Sequence, residues 1–126
     1  MPIRIDGGAG VTFPDSVQQT NAVTNTGGSP PYYAARAWGN FKGTTPTSIR
    51  ASANIASFVR TGTGDYTITF TTPMPDANYV VVGMSSGAGG IVNIDGTPTT
   101  TSFNIAVDDG SPSGLDVGEL YIVVFR

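Results

Sequence analysis

The 126-residue chain contains no cysteine and no histidine. Without cysteine there is no disulfide framework and no thiolate metal site. Without histidine the usual general base, the usual zinc ligand and the side chain that titrates near neutral pH are missing together. Charge is scarce as well: Asp, Glu, Lys and Arg make up 12% of the residues, about half the usual share. The net charge is −3, and the basic residues Arg4, Arg36, Lys42, Arg50, Arg60 and Arg126 are scattered. No basic patch follows, so neither nucleic acid nor anionic lipid is an expected partner. No apolar run reaches the length of a membrane helix, and the opening MPIRIDGGAG lacks the apolar stretch of a secretory signal. The expectation is a chain without membrane insertion, made and kept in a cytoplasm until something else releases it.

Helix signals are almost absent too. Only residues 15–23 (DSVQQTNAV) offer one, with Asp15 or Ser16 as a cap for one or two turns. Thr20 and Asn21 work against it. What remains is 39% hydrophobic, punctuated by 17 glycines and 9 prolines, enough apolar surface for one ordinary core. The pattern predicts strands. Residues 34–41 follow Pro30-Pro31, a stop that makes TNTGGS (24–29) a linker. Residues 48–54 and 56–60 read as one long strand whose inward face switches, from Ile49, Ala51 and Ala53 to Ala56 and Phe58, as a β-bulge near Asn54 or Ile55 would produce. In residues 65–72, Tyr66, Ile68 and Phe70 alternate with threonines, and the preceding TGTGD predicts a hairpin with 56–60. Residues 91–95 form a short strand, and 99–107 alternate again with Phe103, Ile105 and Val107 on one face.

Two strands break the alternation. Residues 79–84 (YVVVGM) and 120–125 (LYIVVF) are apolar on both faces, which fits a strand covered on both sides. One face belongs to a core; the other is expected to meet the N-terminal arm or another copy of the chain. Tyr79, Val81, Tyr121, Val123 and Phe125 are the expected oligomer-interface or core residues, and Trp38 and Tyr66 the expected core anchors. The fold class is all-β: a single antiparallel β-sandwich, jelly-roll or H-type-lectin-like, in residues 32–126, preceded by an extended attachment arm and linker in 1–31.

Catalysis finds little support. Asp65, Asp76, Asp95, Asp108, Asp109, Asp116 and Glu119 fall mostly in turns, where aspartate serves the backbone. Nothing in the sequence would lift one carboxyl toward an acid–base role. Residues 108–116 (DDGSPSGLD) cluster oxygen ligands that suit calcium, but without EF-hand spacing. SSGAGG (85–90) has no lysine and opens no helix, so it is a loop and no phosphate cradle. The serines and threonines lack an activating base. No enzyme activity, metal or cofactor is expected. Recognition would fall to the end loops 43–47, 61–65, 85–90 and 108–116.

Residues 33–82 carry an ARAWxNFxGT opening, an IRAS strand and the GTGDYTITFTTPMPDANY hairpin. Together with a final strand near the C-terminus, they closely resemble a C-terminal module of tail fibre proteins from tailed phages, notably those infecting cyanobacteria. Upstream, GVTFPDSVQQT (10–20) resembles the ITFPDGTVQ-type segment that often precedes such modules, with serine in place of glycine. A looser likeness in strand rhythm links residues 69–125 to the H-type lectin sandwich. The resemblance implies a virion surface protein, homotrimeric, bound to other virion proteins at the tail nozzle, tail tip or capsid, and touching a host surface glycan. Here the module opens about thirty residues after Met1 without a shaft. The arm, with Ile3, Ile5, Val11 and Phe13, is therefore expected to dock on the virion. A trimeric capsid decoration (cement) protein with no receptor is the alternative expectation.

Overall fold

The computed structural model describes residues 4–6, 10–12, 18–19, 35–87, 90–110 and 113–126. The chain divides into two compact units, Met1–Pro31 and Tyr32–Arg126. In the first, β1 (Arg4–Asp6), β2 (Gly10–Thr12) and β3 (Gln18–Gln19) form an antiparallel sheet in the order β1-β2-β3. Ile5 stands opposite Val11 across β1 and β2; Ile3 and Phe13 lie outside the described residues. Of the expected helix at 15–23, only Gln18 and Gln19 are described, and they are strand, paired with Thr12 and Val11. A helix of one or two turns pays a nucleation cost that its few bonds do not recover, whereas β2 offers this backbone a partner.

The second unit is a sandwich of eight strands. They are β4 (Ala35–Lys42), β5 (Ser48–Ala53), β6 (Ile55–Gly62), β7 (Asp65–Phe70), β8 (Val80–Ser85), β9 (Ile91–Asp95), β10 (Ser102–Asp108) and β11 (Leu120–Phe125). Two four-stranded antiparallel sheets, β5-β4-β11-β8 and β6-β7-β10-β9, enclose one core. Alternation builds it: Tyr66, Ile68 and Phe70 from β7, Phe103, Ile105 and Val107 from β10, and Leu120, Ile122 and Val124 from β11 all point inward and are buried. Phe58 stacks between Phe41 (centroids 4.4 Å apart) and Tyr66 (4.9 Å). A second cluster sets Tyr79 edge-on to Phe70 at 5.4 Å and to Phe103 at 6.0 Å. Gly39 is needed here, because a Cβ would lie 2.0 Å from the folded-back ring of Phe41.

The single long strand expected over 48–60 is two strands in different sheets. Asn54, in the left-handed region at φ 57°, makes the corner. It holds the turn with its side chain: Nδ2 donates to the carbonyls of Arg36 (3.2 Å) and Thr72 (3.1 Å), and Oδ1 accepts from Thr72 N–H at 2.7 Å. Asparagine tolerates this conformation because its amide satisfies the local backbone. The expected face switch is thus a change of sheet. Ile49, Ala51 and Ala53 lie exposed on an edge strand instead of inward. A register shift between Ile55 and Ser57 then turns Ile55 and Phe58 inward and Ala56 outward. The β6–β7 hairpin is as expected, closing at Gly62 and Asp65 around Thr63-Gly64.

Tyr66 is a fully buried anchor, but Trp38 is not. Ala37, Gly39 and Phe41 take the inward positions of β4, which sends Trp38 and Asn40 to the opposite face. Tyr121 is likewise exposed, and Phe125 is half-buried.

Candidate interaction face

The outer face of the β5-β4-β11-β8 sheet collects side chains that the two-faced strands leave over. Across the strands, Ala53, Trp38, Val123 and Val82 form one row, and Ala51, Asn40, Tyr121 and Met84 the next. Phe125 stands opposite Val80 beyond them. Trp38 is 41% exposed, Val80 59%, Val82 52%, Met84 70% and Tyr121 41%. These five side chains form one contiguous exposed apolar patch, a feature that on a monomer is often an interaction site.

One end of the face has a charged rim. Arg50 pairs with Glu119 at 3.2 Å and donates to the Gly118 carbonyl at 3.1 Å. The Tyr121 hydroxyl donates to the Glu119 carboxylate, and that bond holds the phenol above its ordinary pKa. In the middle of the face, Asn40 Oδ1 is closed off from solvent without a hydrogen-bond partner. Among the described residues it is the one buried side-chain polar atom in that condition.

The edge strand beside the face lacks the usual guards. Sheet edges are normally guarded by charge, bulges or brevity. Edge strand β5 carries Arg50 and a register shift against β4; β6 carries Arg60 and two shifts; β9 has five residues, the last of them Asp95. The fourth edge, β8, has no charge and no proline, and pairs with β11 without interruption from Val80 to Ser85.

The sequence had suggested other centres, and the structure gives Asp116, Asp108 and Asp76 local roles. Asp116 is a clamp. Its Oδ1 accepts from Gly64 N–H at 2.9 Å and lies 3.2 Å from the Tyr66 hydroxyl, while Arg60 Nε reaches both oxygens at 3.0 Å. The Arg60 hydrogen bond, above all, holds the Asp116 carboxyl below the usual carboxylate range. Burial, then the Asp116 charge, pushes Tyr66 up to about 12. Asp108 serves its own loop, accepting from Gly110 N–H at 3.0 Å and from Asn93 Nδ2 at 2.8 Å. Asp76 binds Arg126 through Nε at 2.8 Å, which lowers its pKa. Among the described residues no three Asp or Glu side chains are grouped as a metal site would need.

The four expected end loops are drawn to one end of the sandwich. Gly43 N–H donates to Val117 O (3.0 Å), Leu115 N–H to Val107 O (2.8 Å), Val107 N–H to Gly64 O (2.8 Å) and Ser86 N–H to Glu119 O (2.8 Å). Residues 88, 89, 111 and 112 of these loops lie outside the described set.

The five residues expected at an interface or core do not share one face. Tyr79 is buried, its hydroxyl donating toward the carbonyls of Thr99 (2.9 Å) and Ser102 (3.1 Å), and Val81 packs half-buried on the core. Tyr121, Val123 and Phe125 are on the outer face. Sequence reasoning put Trp38 in the core and did not single out Asn40. In strand 79–84 it expected one apolar face to meet another surface but named Tyr79 and Val81 instead of Val80, Val82 and Met84. Strict alternation through YVVVGM would have paired Val80, Val82 and Met84 on one face. Trp38 and Asn40 join them only through the β4–β11 register. The chain matches no protein-family model, no curated protein and no solved structure.

Proposed function

We propose that this chain is a non-catalytic surface protein of a bacteriophage particle, which assembles with copies of itself through the outer face of the β4–β11–β8 layer. The observation that carries the reading is that face: an apolar surface continuous with an unguarded strand edge. Surfaces of this kind on small proteins are interaction sites. The phage assignment and the three-fold order rest on the resemblance of residues 33–82 to the tail fibre module. On this reading residues 1–31 attach the protein to other virion proteins. The clustered end loops project outward and meet a host surface glycan, since loops on a rigid sandwich are where recognition falls.

Light scattering on the purified full chain tests assembly, with a mass of three times 13.0 kDa as the expected result. Labelled electron microscopy of particles tests position. Density at the tail tip is expected; density on the capsid shell would replace the fibre role with that of a head-stabilising decoration protein.

A further inference from the structure

We propose that β8 pairs edge to edge with β8 of a second copy, antiparallel about a two-fold axis at Gly83. This contact adds to the face assembly proposed above and does not depend on it. The phase of the β8–β11 ladder decides which backbone groups are free. Opposite residues in an antiparallel ladder alternate between bonded and unbonded pairs. Ser86 N–H donates to Glu119 O at 2.8 Å, so the bonded pairs that follow in register are Met84↔Tyr121, Val82↔Val123 and Val80↔Phe125. Val81, Gly83 and Ser85 therefore turn their N–H and C=O groups away from β11. β8 is the last strand of its sheet, and those outward groups have no backbone partner among the described residues.

The row is regular as well as free. β8 runs from Val80 to Ser85 against β11 without a shift, whereas β5 and β6 carry register shifts that break their rows. A straight, uncharged, unpaired row is a template for another strand.

A second copy is the occupant because β8 is its own complement. About a two-fold axis at Gly83, Gly83 faces Gly83 and Val81 faces Ser85, and each such pair exchanges both backbone bonds. On the outer side Val82 faces Met84, so apolar meets apolar and the two exposed patches become one. No charged side chain enters the joint, since β8 has none. The flank is covered too. Val92 on β9 lies so near Gly83 that a Cβ there would come within 2.6 Å of it. Ile94 shares the inward side of β9 with Val92, opposite buried Ile105, yet is 42% exposed. The core is thus incompletely closed beside β8, and the neighbouring copy closes it. An edge of six residues is about 20 Å long and covers well under the about 800 Å² per partner of a standard interface. The pairing is therefore weak and governed by concentration.

Sedimentation of the full chain between micromolar and millimolar concentration should show the number of chains per particle doubling. Val81→Pro removes one outward N–H and leaves the bonds to β11 in place. It should abolish the doubling while the circular dichroism of the folded protein persists. Register is tested with thiols, because the chain has no cysteine of its own. In the proposed pairing, position 82 stands opposite 84 with Cα atoms about 4.5 Å apart. Like positions lie beyond the disulfide limit of about 7 Å. An equimolar mixture of Val82→Cys and Met84→Cys, one of them tagged, is equilibrated in a thiol–disulfide buffer. The mixed dimer should exceed either like dimer at least about tenfold. A particle mass constant across the concentration range would overturn the edge pairing and leave β8 to a strand of another protein. Doubling that survives Val81→Pro, or mixed and like dimers in statistical proportion, would overturn it as well. A single chain at micromolar concentration that doubles at millimolar would support the edge pairing and overturn the face assembly.

Discussion

The two outer faces of the sandwich obey the same pleat and carry opposite chemistry. On the β6-β7-β10-β9 sheet, the outward positions of DYTITF and SFNIAVD hold threonine, asparagine and aspartate. These bond one another: Thr67 Oγ1 donates to Asn104 at 2.8 Å, and Asn93 donates to Asp108 at 2.8 Å. Val59 on β6 and Ile91 on β9, both exposed, interrupt that polar surface at its two opposite edge strands. On the β5-β4-β11-β8 sheet the corresponding positions hold Trp38, Tyr121, Val123, Val82 and Met84. Both inner faces feed one core, so the contrast does not come from folding. A sheet needs only one apolar face to fold, and the self-association proposed above is what the second one would serve.

The largest effect expected is on the core that both faces share. Ile105 is fully buried between the sheets, and Ile105→Ala should cost about 2–5 kcal/mol in denaturant unfolding, weakening both faces at once. Next comes the contrast itself. Met84→Asp should reduce the assembly to single chains in light scattering, while Asn104→Asp on the other face should leave the mass unchanged. Unfolding of the separated chain should shift by no more than about 0.5 kcal/mol in either variant. Equal masses for the two variants would abolish the distinction between the faces.

A smaller effect appears on changing pH. Asp116 and Asp76 titrate below the usual carboxylate range because Arg60 and Arg126 bind them. A lowered carboxyl pKa gives stability that is full above the unfolded value, about 3.9, and is lost as pH falls through the folded value. Thermal midpoints should therefore drop below about pH 4, and Asp116→Asn should flatten part of that drop. Tyr66 gives the opposite limb. Its raised pKa contributes stability that is full below about 10 and fades as pH climbs toward about 12. The smallest effect belongs to the rim. Arg50 and Glu119 are both well exposed, so Arg50→Ala should change unfolding by less than about 1 kcal/mol.

Much of the fold was legible because alternation is a local signal. Tyr66, Ile68 and Phe70, or Phe103, Ile105 and Val107, declare their inward face without knowledge of any neighbour. So does the hairpin, since TGTGD closes β6 on β7 within two residues. The corner at Asn54 was visible only as a loss of phase. A bulge and a change of sheet disturb periodicity alike, and both occur here. The register shifts between Ile55 and Ser57 just past the corner, while β4, the partner of β5, and β7, the partner of β6, lie in different sheets. Trp38 was misplaced for a related reason. Size and apolarity argued for the core, but its neighbours Ala37 and Gly39 hold the inward positions, and small residues there make room for the ring of Phe41.

By itself the sequence determined the class of the protein: all-β, without histidine or cysteine, and with two strands that have apolar side chains to spare. Composition and period-two patterning suffice for that, because both are properties of single strands. Tertiary structure alone decided where the spare residues meet. Residues 38–40, 80–84 and 121–125 become one surface because β11 pairs with β4 on one side and β8 on the other. Backbone hydrogen bonds between segments so far apart in the chain leave no trace in local spacing.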